Sequence, residues 1–244
     1  MKIKPNLKTK NRNKEYLEIA KKYAKKIFSY SGVVGIAVGG GIGRDHSDEF
    51  SDIDLYVYLT SEEYQRWMKN PPIKIGSRKR GKYTIEIEIF DYAKENKSEE
   101  PWKIEDRWER QHHIVLYDTK SKVKNLLKNK NRWEKGEKEE LLDELQKRAS
   151  WYIELPEDFI ERGDIAQAHY LINVVIDWIF DIVFLKNNYF IPWPKWKLHY
   201  ALLIKKKPMD FEERIKSAME IKSFDKKDVL RRIKILNKIL EELR

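Results

Sequence analysis

The stretch VVGIAVGGGIGRDHSDEFSDIDLYVY, Val33 to Tyr58, decides the fold. It opens with an apolar run, passes through Gly39, Gly40, Gly41 and Gly43, and crosses a polar loop. A second apolar run follows, carrying Asp52 and Asp54 with only Ile53 between them. On a strand, residues two apart point to the same face. Asp52 and Asp54 therefore stand side by side, while Ile53, Leu55 and Val57 turn to the other face for burial. Two carboxylates so close repel each other unless a cation sits between them. Hard oxygen ligands in this arrangement suit Mg²⁺, which keeps several waters and completes its shell with substrate phosphate oxygens.

The glycines supply the other half of such a site. A strand ending in Gly-Gly lets backbone approach a ligand closely, and the N–H groups that follow bind phosphate. The pattern Val38-Gly39-Gly40-Gly41, then Ser51-Asp52-Ile53-Asp54-Leu55, resembles the signature of the DNA polymerase β-like nucleotidyltransferase superfamily. Gly41 stands where that signature usually has a serine, so a hydroxyl contact to phosphate is missing and the backbone amide remains. A glycine turn before a surface strand with two solvated aspartates is the plain alternative, and a lone Asp-x-Asp would favour it.

At 244 residues the chain allows one large or two small domains. Its formal charge of +10 favours anionic partners such as nucleotides. The basic residues are spread out, however, and 37% charged residues with abundant Lys, Glu and Ile also fit heat adaptation, so a dedicated nucleic-acid surface is not favoured. Without cysteine there are no disulfides and no thiolate zinc sites. The basic stretch MKIKPNLKTKNRNK lacks the apolar core of a signal peptide. The run Leu171 to Leu185 is too short to span a bilayer and contains Asp177 and Asp181. No membrane association and a cytoplasmic location are expected.

Along the chain, residues 1–12 read as a loosely attached basic tail. Helical spacing of Tyr16, Ile19, Ala20, Tyr23 and Ile27 predicts an amphipathic helix from Asn13 to Tyr30. Strands are expected at Val33–Val38 and Ile53–Leu59, and Thr60 or Ser61 caps the helix after the second. Lys82 to Phe90 alternates with period two, placing Thr84, Glu86, Glu88 and Phe90 on one face. His112 and His113 fall in an expected strand, His112–Tyr117, and as neighbours face opposite ways, so they cannot share one metal. The charged segment Asn129–Glu140 separates alternating strands and helices from a region with no convincing strand. The boundary is placed near residue 135, giving domains 1–135 and 136–244. In the second, Ile165 to Lys186 is almost wholly apolar and reads as the buried centre of a bundle, with Asp164 as its cap.

The expected class is α+β: a mixed-sheet nucleotidyltransferase domain followed by an all-α helical bundle. The second half, from Arg162-Gly163-Asp164-Ile165 through His169 to Asn173 and then Pro194-Lys195-Trp196, resembles the helical, acceptor-binding domain of antibiotic-type nucleotidyltransferases. The resemblance implies Mg²⁺-dependent transfer of a nucleoside monophosphate, AMP above all, from a triphosphate to a hydroxyl acceptor. It implies two Mg²⁺ ions held by Asp52, Asp54 and a third acid from a neighbouring strand. Glu86 fits that third place better than Glu88. Gly40 and Gly41 amides would hold the outer phosphates, with Arg44 adding charge and Lys195 reaching phosphate; a solvated loop arginine and a packing turn are the alternatives. Asp177 and Asp181, one turn apart on an apolar helix, need basic partners or line an acceptor pocket. A small hydroxyl acceptor is favoured over RNA or a partner protein, and the intact acid set disfavours a non-catalytic nucleotide sensor.

Overall fold

A computed structural model describes residues 3–244, with the backbone alone for Arg80. The chain divides into two compact units, the first ending at Arg132 and the second running Trp133–Arg244. In the first, the elements in chain order are α1 (Asn13–Phe28), β1 (Val33–Val38), α2 (Gly40–Gly43), β2 (Ile53–Leu59), α3 (Ser61–Lys69), β3 (Gly76–Arg80) and β4 (Tyr83–Asp91). Then come α4 (Tyr92–Lys97), α5 (Ile104–Arg110), β5 (Ile114–Asp118) and α6 (Lys122–Lys130).

The five strands form one mixed sheet in the order β3-β4-β2-β1-β5. β1 runs antiparallel to both β2 and β5, whereas β2 and β4 are parallel. Both faces of the sheet are covered, so β1 is apolar at every position apart from Gly35 and buried throughout. One core gathers Ile53, Leu55, Val57, Ile85 and Ile87 with the apolar stripe of α1. The opposite face packs Tyr56 and Tyr58 with Val123 and Leu126 of α6. Each fully buried aliphatic side chain of this kind is worth roughly 1.5–3 kcal/mol. A one-residue slip of β2 would turn its aliphatics onto the face that carries its acids, so the pattern fixes the register.

Helix ends follow local chemistry. The Thr60 hydroxyl accepts the Glu63 N–H at the start of α3. Asp91 closes β4 and caps α4 by accepting from Ala93 and Lys94. Two expectations change here. Residues 3–12 are not a loose tail: Arg12 N–H donates to Ser47 O at 2.6 Å and Thr9 donates to Asp48 at 2.6 Å. This segment is a strap tying down the loop between the glycine turn and β2. Strand β5 begins at Ile114, leaving His112 and His113 in the turn before it. The short helix α4, which has no apolar periodicity, carries no buried residue.

The second unit is helical: α7 (Glu137–Tyr152), α8 (Leu155–Glu161), α9 (Ile165–Lys186), α10 (Pro194–Leu203), α11 (Phe211–Met219) and α12 (Lys226–Glu242). All five other helices pack on α9. Asp164 accepts the Gln167 N–H at 2.9 Å, which fixes the start of α9. With 22 residues, α9 is by length and composition long enough to cross a membrane, unlike the shorter apolar run read from sequence. Most of its apolar window is instead buried inside the unit. Between α9 and α12, Arg232 is fully buried and donates to Ala218 O at 2.6 Å and to Asn173. It also donates to His169 Nδ1 at 2.6 Å. A guanidinium cannot accept, so Nδ1 is unprotonated and Nε2–H faces Ser223 O at 3.2 Å.

Candidate active site

Strands β2 and β4 place the acids. Their parallel register pairs Asp54 with Glu86 and Tyr56 with Glu88. Ile53, Leu55, Ile85 and Ile87 are buried on the other face, so the pleat turns Asp54 and Glu86 to a common side. Asp52 lies one residue before β2 and is exposed. Asp54 is pushed up to about 7, by burial first and then by the negative charges of Glu109, Asp52 and Glu86. The register supports Glu86 over Glu88 as the neighbour of Asp54.

The glycine turn packs directly onto Asp54. Gly39 N–H donates to Asp54 O at 3.0 Å. Gly40 has φ +55°, and a Cβ there would sit 1.6 Å from Asp54 Oδ2. Only glycine allows this approach. At Gly41 a Cβ would meet His46 O at 2.6 Å. The loop back to β2 is ordered by Asp48, whose Oδ1 accepts from Phe50 N–H at 3.1 Å and from Ser51 Oγ at 2.9 Å. Ser47 Oγ donates to Asn13 Oδ1 at 3.0 Å, joining that loop to α1.

Arg44 is not a solvated loop residue. It is 8% exposed, and its guanidinium lies 5.6 Å from the Trp108 ring. Its Nη1 donates to both carboxylate oxygens of Glu109, at 3.0 and 2.7 Å. Glu109 Oε1 also accepts the Gly40 N–H at 2.9 Å. His113 closes the turn from behind, with its ring 4.1 Å from that of Tyr56 and against Gly39. Among the described residues neither His113 ring nitrogen has a hydrogen-bond partner, and burial pushes its pKa well below the usual imidazole range.

The donor chemistry fits a hard divalent cation: Asp54 titrates high because it is buried and because Glu109, Asp52 and Glu86 lie near it, and a positive charge there would offset both. Among the described residues, no three acids or histidines are drawn together into a ready-made metal cluster.

The remaining expected residue, Lys195, lies at the exposed start of α10 in the second unit, its Nζ 5.9 Å from the Trp196 ring. Lys197 is the buried lysine of that motif, 2.7 Å from Asp177 and 3.0 Å from Asp181. Burial works against its charge, but Asp181 and Asp177 outweigh burial and its pKa is raised. The sequence signalled that Asp177 and Asp181 need a basic partner without showing which lysine supplies it. For Glu109 there was no signal, since it meets Gly40 across 69 residues of chain.

A mixed sheet carrying a glycine turn, a paired Asp-x-Asp and an acid on the parallel neighbour defines a nucleotide-transfer class of protein. Residues 17–185 match the family described as the nucleotidyltransferase domain. The chain belongs to that family, and with it to the DNA polymerase β-like nucleotidyltransferase superfamily. The match runs from α1 to the last turn of α9, so it spans parts of both units. Among solved structures, a nucleotidyltransferase-like protein from Exiguobacterium sibiricum is similar at 12% identity, covering 93% of this chain and 74% of its own, with a TM-score of 0.48. No curated protein matches the chain.

Proposed function

We propose that this nucleotidyltransferase moves a nucleoside monophosphate, AMP in the first instance, from a triphosphate to the hydroxyl of a small acceptor. The observation that carries the reading is Asp54 lying in register with Glu86 and against Gly40, with Asp52 two residues away. Asp52, Asp54 and Glu86 are the residues that would hold Mg²⁺. When bound, two such ions neutralise phosphate charge and stabilise the attacking and leaving oxygens together.

The chain's own groups do the rest. Gly40 and Gly41 N–H groups and the Arg44 guanidinium orient the outer phosphates, which holds the α-phosphorus in line with the acceptor oxygen. A carboxylate takes the hydroxyl proton as the new oxygen–phosphorus bond forms and the bond to pyrophosphate breaks. The basic residues are spread along the sequence and not gathered into one run, which supports a small acceptor over a nucleic acid.

The test is a screen of nucleoside triphosphates with Mg²⁺ against small hydroxyl compounds and RNA, scored by pyrophosphate release. We expect ATP with a small hydroxyl acceptor to release pyrophosphate, and Asp52→Asn to lower the rate by at least about a hundredfold. Transfer at the same rate by that variant would remove these acids from the mechanism.

A further inference from the structure

The two groups assigned above to the outer phosphates already hold an anion, and it belongs to the chain. Glu109 takes the Gly40 N–H at 2.9 Å and the Arg44 Nη1 at 3.0 and 2.7 Å. Resting on that assignment, we propose that Glu109 is a built-in stand-in for phosphate: it fills the cradle while no triphosphate is present, and triphosphate must displace it.

The chemistry matches on both sides. An N–H beside a guanidinium is recognition that carboxylate and phosphate share. Taking the carboxylate away from the buried Nη1 of Arg44 and from the Gly40 N–H would be costly, so the cradle favours an anion in that place. Glu109 is a poor permanent tenant, however. It accepts from Gly40, the residue packed against the Asp54 carboxylate, so two acids share one glycine turn. A carboxylate set among acids is held by its cationic partner, and a ligand with more negative charge and more acceptor oxygens competes for the same partner.

Displacement requires only a side-chain rotation. Helix α5 is anchored on either side of Glu109: Arg107 donates to Arg132 O at 2.8 Å, Trp108 is buried, and Arg110 lies 4.2 Å from the Trp102 ring. The Glu109 side chain itself is 17% exposed, which leaves it a way out to solvent. Its effect is therefore to weaken triphosphate binding and to keep the cradle shut against lesser anions.

The experiment is titration calorimetry of the full chain with tripolyphosphate and, separately, with ATP, in wild type, Glu109→Ala and Glu109→Gln. Both variants should bind tripolyphosphate more tightly, Glu109→Ala by about tenfold and Glu109→Gln, which keeps the size but not the charge, by less. A gain in affinity is not what a merely structural residue gives when removed, and the gain should vanish when Arg44→Gln is added. Equal affinity in wild type and both variants would overturn the stand-in while leaving the proposed function intact. Weaker binding in a folded Glu109→Gln would also overturn it, since Glu109 would then be supporting the cradle. Failure of all three proteins to bind either probe would overturn both readings together.

Discussion

Asp54 sits where chemistry and stability pull in opposite directions. Its carboxyl is half-buried among other acids, and its pKa rises from 3.8 to about 7. The folded chain thus keeps a proton that the unfolded chain has lost, so this residue makes metal-free stability fall as pH rises from about 4 to about 7. We expect Asp54→Asn to stabilise the metal-free protein at pH 8 by about 1–3 kcal/mol, read as a higher melting temperature, and to flatten that pH dependence. An unchanged or lower melting temperature would mean the acids do not crowd one another. Gly40 gives a second contrast. Gly40→Ala puts a Cβ 1.6 Å from Asp54 Oδ2, whereas Gly81→Ala, with a similar φ of +61°, meets nothing within 4 Å. Both variants incur a backbone strain of about 1–2 kcal/mol. Only Gly40→Ala should also lose transfer, and equal activity in the two would separate the turn from the reaction.

Between elements, the sequence was legible wherever a pattern is local. Val33–Val38 and Ile53–Leu59 declare themselves as strands by apolar content and spacing, and Thr60 and Asp164 declare helix starts by their oxygens. Contacts made at long range were not legible. The strap at residues 3–12 looks like any basic tail until Ser47 and Asp48 are brought against it. Glu109 is one acid among forty until α5 lies over the glycine turn. Lys195 and Lys197 are alike in sequence, and only packing separates them. Lys197→Met should cost about 3–5 kcal/mol by removing the buried ammonium that faces Asp181 and Asp177, while Lys195→Met should change stability by less than about 0.5 kcal/mol. Comparable losses in chemical denaturation would contradict that assignment. The α9–α12 contact makes a pH prediction. Burial first, and Arg232 second, lower the pKa of His169, against smaller opposing effects of Ser223 O, Asp228 and Asp225. An imidazole with a depressed folded pKa contributes stability that is intact above about pH 6.5 and lost as pH falls through the folded value. His113 contributes with the same sign from the first unit. His169→Gln should therefore lose less stability than wild type between pH 7 and pH 5, and an equal or steeper loss would contradict the network.

For the whole molecule, the two units meet between Arg132 and Trp133, inside the charged segment 129–140, where Trp133 is the one large apolar residue. Membership in the nucleotidyltransferase domain family was legible from the glycine turn and Asp-x-Asp alone, since the chemistry needs both at fixed spacing. The acceptor was not, because helix patterns report which faces are buried and not what a surface binds. Charge gives only a broad statement: +10 overall, with acids concentrated at the candidate site. The central claim is that Asp52, Asp54 and Glu86 hold divalent cation for transfer. Its most direct measurement is a Mn²⁺ titration followed by electron paramagnetic resonance, with a non-hydrolysable ATP analogue present, in wild type and Asp54→Asn. The account predicts tight Mn²⁺ in wild type that weakens by at least about tenfold in the variant. Equal Mn²⁺ affinity in the two proteins would contradict it.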